Sequence, residues 1–266
     1  MPHSLSLPLI KELVPAGFDF GSIILVEFES QSCWYDAALT LASQALAGGV
    51  KTDLHMFHKN PHAVRDALAR FGLDVRKLRE RDMLRIIDSY TVQTGIGSAE
   101  DLKGSDVFKQ TSLKLTDWAA AAKQQISEGI PEAEKNRLHI DDNLTVLNRY
   151  NQESEVIDYW RTRIIPLYRA RESVLVNALL TGVSSEGFYK QFEALCDGII
   201  DFRTHEEKGQ VENYVRVRTM HGKSFDSRWQ NVKVMADGRV SLNPSRRKVS
   251  ELGLGGWLKG PARDQS

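Results

Sequence analysis

The chain has 266 residues in which 35 Lys plus Arg balance 35 Asp plus Glu, so charge favours neither electrostatic capture of nucleic acid nor a salt-adapted acidic protein. No apolar run reaches the roughly 20 residues that a membrane-spanning helix needs, and the N-terminus MPHSLSLPLIKEL lacks the basic start and long apolar core of a secretory signal. Cys33 and Cys196 are too few and too distant for a zinc site or a disulfide framework, and a cytoplasmic, membrane-free protein is expected.

After an N-terminal arm, residues 1–20, the run 23–28 (IILVEF) reads as a buried parallel strand, and 36–47 as a helix with Leu39, Ala42 and Leu46 on one side. Between them lie Glu29, Ser30, Gln31, Ser32 and Cys33, followed by Trp34 and Tyr35. A strand, turn and helix in this order is where G-x-x-x-x-G-K-[ST] wraps phosphates in backbone N–H groups, with Lys on the outer phosphates and Ser/Thr on Mg²⁺. Here the turn has no glycine, and Trp34 and Tyr35 stand where Lys and Ser/Thr belong. Glu29 adds a negative charge. No cofactor is expected, ATP with Mg²⁺ being the secondary expectation.

Further strands are expected at 52–57, 84–90, 137–141, 173–180 and 198–202. Helices are expected at 61–71, opened by Pro61 and closed by Gly72, and from Thr116 or Asp117 to 128. Two more should cover 154–169, with Pro166 bending or tightening its last turn, and 185–195. Residues 91–109 have no clear period and read as a long loop. Beyond 210 the pattern alternates at 211–220, 229–235 and 239–242, joined by His-Gly and Asp-Gly turns, which is an antiparallel meander. The fold class is α/β: a mostly parallel sheet flanked by helices with a C-terminal antiparallel β meander (210–243), all within 21–244. Residues 245–266 read as a flexible tail.

The order of elements resembles the KaiC-like branch of the RecA superfamily of ATPases over about residues 10–243. The segments that carry it are GSIILVE at 21–27, the passage from His58-Lys59-Asn60-Pro61 to Phe71-Gly72-Leu73-Asp74, and LRIIDSY at 84–90. Further along come His139-Ile140-Asp141-Asp142, similar to a Walker B strand, CDGIIDFR at 196–203, and YVRVRTMHG at 214–222. The resemblance implies a RecA-like fold and rings in which the meander of one subunit leans on the nucleotide site of the next. On it, the family's paired water-activating glutamates correspond to His58 and Lys59. The meander Lys and Arg that reach a neighbour's nucleotide correspond to Thr219 and His221, beside Arg218. Only the Walker B aspartate, Asp141, is kept.

The reading is therefore a non-hydrolysing KaiC/RecA-like pseudo-ATPase with degenerate Walker A and catalytic residues. It would act as a regulatory or scaffold subunit, in a signalling-related oligomer with itself or an active KaiC-like paralogue. The alternatives are an ATP-binding switch with weak or no turnover, and an accessory nucleic-acid-binding, recombinase-like subunit, which the balanced charge disfavours. Trp34 and Tyr35 are expected to fill a vestigial nucleotide site made of residues 29–35, His58, Lys59, Asp141 and Asp142. No metal is expected: Asp141 and Asp142 read as turn caps, strand alternation puts His55 and His58 on opposite faces, and Pro61 separates His62. His139 and His221 read as core or turn residues, and no Ser/His/Asp or Cys/His triad can be placed.

Overall fold

The computed structural model describes residues 4–94, 107–109, 112–118, 129–207 and 209–243. Near the N-terminus β1 (Ser4–Leu5) pairs antiparallel with β2 (Phe18–Asp19). The parallel strands are β3 (Ile23–Phe28), β4 (Thr52–Met56), β5 (Leu84–Asp88), β6 (Val107–Lys109), β7 (Leu138–Asp141), β8 (Val174–Leu180) and β9 (Gly198–Glu207). The meander is β10 (Gln210–Met220), β11 (Gln230–Val234) and β12 (Val240–Asn243), each antiparallel to its predecessor. Together they form a ten-stranded sheet in the order β12-β11-β10-β9-β3-β8-β7-β4-β5-β6. This is the mostly parallel α/β architecture expected from the sequence.

All six residues of β3 are buried because its two neighbours and both helix layers enclose it. Alternation divides them. Ile24, Val26 and Phe28 enter one core with the helices Pro8–Leu13, Trp34–Ala47 and Pro61–Arg70. Ile23 and Leu25 enter the other, with the helical segment 153–170 and the helix Glu186–Glu193. Residues 4–20 are tied to this body: the Leu9 N–H donates to Gln44 Oε1 at 3.1 Å, and Lys223 Nζ donates to the Gly17 carbonyl at 2.8 Å. Gly17 has φ +68°, and a Cβ there would lie 2.4 Å from the Leu5 carbonyl oxygen, so the turn before β2 requires glycine.

Several boundaries differ from the sequence expectation, each for a local reason. The second helix begins at Trp34, not Asp36, so both aromatics sit in its first turn. β5 stops at Asp88, whose carboxylate accepts the Thr91 N–H at 2.9 Å and starts the short helix Tyr90–Thr94. That helix and β6 occupy part of the stretch expected to be loop. β9 runs on to Glu207 because β10 pairs along its whole length. Before Pro166 the helix widens into a π turn, Trp160–Ile164, instead of tightening, since proline offers no N–H to continue the ladder. The expected helix from Thr116 is described only at 115–118, and its remainder and the tail 245–266 lie outside the described residues. Among the described residues no helix is long and apolar enough to cross a membrane.

Candidate functional site

The turn 29–33 leaves the carboxyl end of β3, the side of an open α/β sheet where ligands bind. Three of its N–H groups bond to protein acceptors. Glu29 N–H donates to the Phe202 carbonyl at 3.1 Å, Ser32 N–H to the Glu29 carbonyl at 3.0 Å, and Cys33 N–H to Asn213 Oδ1 at 2.8 Å. The Glu29 carboxylate accepts from Thr204 N–H at 2.8 Å and Thr204 Oγ1 at 2.9 Å. β9 and β10 thus hold the turn by direct bonds. Ser30 and Gln31 are exposed, whereas Cys33 is buried and its thiol is pushed up to about 12 by burial.

Trp34 is fully buried. Its ring lies between Phe28 and Phe202, with centroids 6.2 and 5.5 Å away, and its Nε1–H donates to the Asp142 carbonyl at 2.9 Å. Tyr35 stacks on His58 at 4.7 Å, and the Lys59 ammonium lies 4.7 Å from the same ring. Among cavities lined by described residues, one touching Trp34 and one touching Tyr35 measure about 20 and 10 Å³, room for no more than a water molecule each.

Asp141 and Asp142 close β7 on opposite faces. The Asp142 carboxylate accepts the N–H groups of Phe57 at 2.7 Å, His58 at 3.1 Å and Lys59 at 3.2 Å. Burial pushes its pKa up to about 7 in spite of those bonds. Asp141 Oδ1 lies 2.9 Å from His55 Nδ1 and 3.2 Å from His139 Nε2. Burial raises the Asp141 carboxyl, but the two imidazoles outweigh it and bring it down to about 2. The reciprocal effect lifts His139 to about 9 against its burial, while burial dominates at His55 and lowers it. The amides of Glu29, Ser32 and Cys33 and the carboxylates of Asp141 and Asp142 are thus engaged by protein donors and acceptors, beside a buried indole.

The second face of the sheet carries a buried polar row that sequence reading missed. β4 and β7 are adjacent, and their register sets Asp53 beside His139 and His55 beside Asp141. His55 Nε2 lies 2.7 Å from Ser89 Oγ, and Arg137 Nη2 donates to Asp53 at 2.6 Å. Ser89, His55 and Asp141 therefore stand in the order of a hydrolase triad, where the sequence placed none. Ser89 is 0% exposed, so the hydroxyl is closed to substrate and the row is a buried polar network. The available signal was the reciprocal pair of D-x-H at 53–55 and H-x-D at 139–141. The sequence reading followed His55, His58 and His62 along the chain, whereas His55 finds its partners across strands.

In the meander, Arg218 turns toward its own subunit. It pairs with Glu193 and Asp201, and with Glu27 Oε2 at 2.5 Å. Thr219 is half-buried opposite Ile199, and His221 is exposed at the end of β10.

A family model described as "ATPase: KaiC" matches residues 43–245. No curated protein matches. Among solved structures, a KaiC-like protein from the hyperthermophilic archaeon Pyrococcus horikoshii aligns with a TM-score of 0.61 at 14% identity, covering 92% of this chain and 99% of that one. At that identity the likeness speaks for the fold, the RecA-like arrangement of a mostly parallel sheet with antiparallel C-terminal strands. The family model spans β4 through β12, including β7 and the meander, and this chain belongs to the KaiC family of ATPase domains.

Proposed function

We propose that this chain is a KaiC-family domain that does not hydrolyse ATP and serves as a regulatory or scaffold subunit in the cytoplasm. Its partner would be a second copy or an active KaiC-like paralogue in a signalling-related assembly. The observation that carries the reading is Trp34: a fully buried indole, bonded to the Asp142 carbonyl, in the helix turn that would face phosphate. Phosphoryl transfer needs a positioned triphosphate, a metal and an oriented nucleophile. His58 and Lys59, at the positions of the activating acids, cannot both act as carboxylate bases. The experiment is nucleotide binding and phosphate release on the purified chain, with mass measured by light scattering alone and with a KaiC-like ATPase. The expected result is neither binding nor turnover, with a mass above the monomer. Micromolar ATP affinity, or turnover that Asp141→Ala abolishes, would overturn the reading.

The stacked pair Tyr35 and His58 favours a second reading, an ATP-binding switch that holds the nucleotide by its base. His58 is exposed, so one edge of the stack is open to a flat ligand. Under that reading a dye-labelled nucleotide binds, is displaced by ATP, and is released by Tyr35→Ala.

A further inference from the structure

We propose that His55, His139 and Asp141 form a binding site for a borderline transition-metal ion of the Zn²⁺ or Co²⁺ kind. The site is independent of the nucleotide reading, since none of its donors needs a phosphate.

Three observations converge on it. The first is geometry. One ring nitrogen each of His55 and His139 and one oxygen of Asp141 lie within 4.8 Å of one another, all on buried side chains. Asp141 Oδ1 is 2.9 Å from one nitrogen and 3.2 Å from the other. Zinc bond lengths of about 2.0–2.2 Å place tetrahedral donors about 3.3 Å apart. The ion would replace two hydrogen bonds to Asp141 Oδ1, each nitrogen moving from that oxygen by a few tenths of an ångström while the two imidazoles, within 4.8 Å, close on the ion. The adjacent strands β4 and β7 fix the donors in register, so no loop has to be ordered to assemble them.

The second is donor chemistry. Two imidazoles and one carboxylate suit Zn²⁺, Co²⁺, Ni²⁺ or Cu²⁺, whereas Mg²⁺ and Ca²⁺ seek all-oxygen shells. Three protein donors leave the fourth tetrahedral position to water.

The third is the layer behind the donors. A ligating histidine ordinarily gives its other ring nitrogen to a carboxylate or hydroxyl, which fixes the tautomer. His55 does so, with Nε2 2.7 Å from Ser89 Oγ. The outer nitrogen of His139, Nδ1, is buried without a hydrogen-bond partner and faces Asp53 Oδ2 at 3.7 Å. Asp53 is itself anchored by Arg137. An ion on Nε2 leaves hydrogen on Nδ1, which faces the Asp53 carboxylate, so a closure of a few tenths of an ångström would give that nitrogen an acceptor.

The test is Co²⁺ and Zn²⁺ uptake by the tag-free, full-length chain, first stripped with chelator. The expected result is one equivalent of Co²⁺ with the intense visible bands of a tetrahedral site, displaced by Zn²⁺. His55→Gln and His139→Gln should lose the bands, while His62→Gln, a change at an exposed histidine, keeps them. Asp53→Asn should weaken binding by about 10–100-fold. Absence of uptake by the folded wild-type chain would overturn the proposal, as would uptake unchanged in both cluster variants. Should those variants fail to fold, imidazole ¹⁵N shifts of the wild type on adding Zn²⁺ decide the matter. Shifts at His55 Nδ1 and His139 Nε2 support the site, and unchanged shifts there refute it.

Discussion

The indole of Trp34 donates to the main-chain carbonyl of Asp142 at 2.9 Å, joining the first turn of a helix to the end of a strand 108 residues further on. This bond and the contacts with Phe28 and Phe202 make Trp34 part of the core. Removing so large a buried ring costs about 3–5 kcal/mol. Trp34→Ala is therefore expected to lower the unfolding free energy measured in urea by that amount without creating nucleotide affinity, because Asp142 and the amides of Glu29, Ser32 and Cys33 keep their partners. A change within about 0.5 kcal/mol, the range of ordinary surface substitutions, would show that the ring does not pack as described.

Glu27 supplies the pH dependence. It lies on the second face of β3, where burial raises its carboxyl from 4.5 to about 7 although Arg218 draws it down. The folded chain thus holds this proton more tightly than the unfolded chain does. The associated stability is complete below about pH 4.5 and is lost as pH rises through about 7. Glu27→Gln keeps the neutral form at every pH. Melting curves should show the variant gaining on the wild type between pH 5 and pH 8, and parallel curves would mean that burial does not control this group.

Much of the fold was legible in the chain. The apolar runs at 23–28, 138–141 and 174–180 are strands buried on both faces, and the alternating runs after 210 are the meander, because burial on one face or two leaves a different period. Of the aromatic pair expected to fill the turn region, Trp34 is buried and Tyr35 is half-buried beside the exposed His58. The network around Asp141 was not legible. It depends on β4 lying beside β7 in one particular register, and a single sequence does not reveal which strands neighbour which. Nor could spacing show that Asn213, 180 residues away, would accept the Cys33 N–H.

The pair Arg137 and Asp53 tests that network energetically. Arg137 is 1% exposed and grips Asp53 through Nε at 2.9 Å and Nη2 at 2.6 Å. Removing one partner of such a pair strands a buried charge, at a cost of about 3–5 kcal/mol. Asp53→Ala and Arg137→Ala should each approach that loss in chemical denaturation, and the double variant should lose much less than the sum. The pair of exposed Arg228 with Asp226 gives the contrast: Arg228→Ala should leave stability close to wild type. Additive losses at Arg137 and Asp53 would show that the two do not depend on one another.

Arg218 and His221 are three residues apart on the proposed interface side of the meander, yet they should answer different assays. Arg218 serves Asp201, Glu27 and Glu193 within its own subunit. Arg218→Ala leaves Asp201, a fully buried carboxylate, with Arg216 as its other close cation. The expected result is a loss of thermal stability, by about 2 kcal/mol or more, in the range for breaking a buried charged pair after allowance for the partial exposure of Arg218. His221 is exposed and contributes its main-chain N–H to the Asp197 carbonyl at 2.8 Å. His221→Glu should leave the melting temperature unchanged and, if this end of β10 meets a neighbouring subunit, lower the mass seen by light scattering. A stable Arg218→Ala chain with reduced mass would instead make Arg218 the contact residue. An unchanged mass in both variants would move the subunit contact away from this end of the meander.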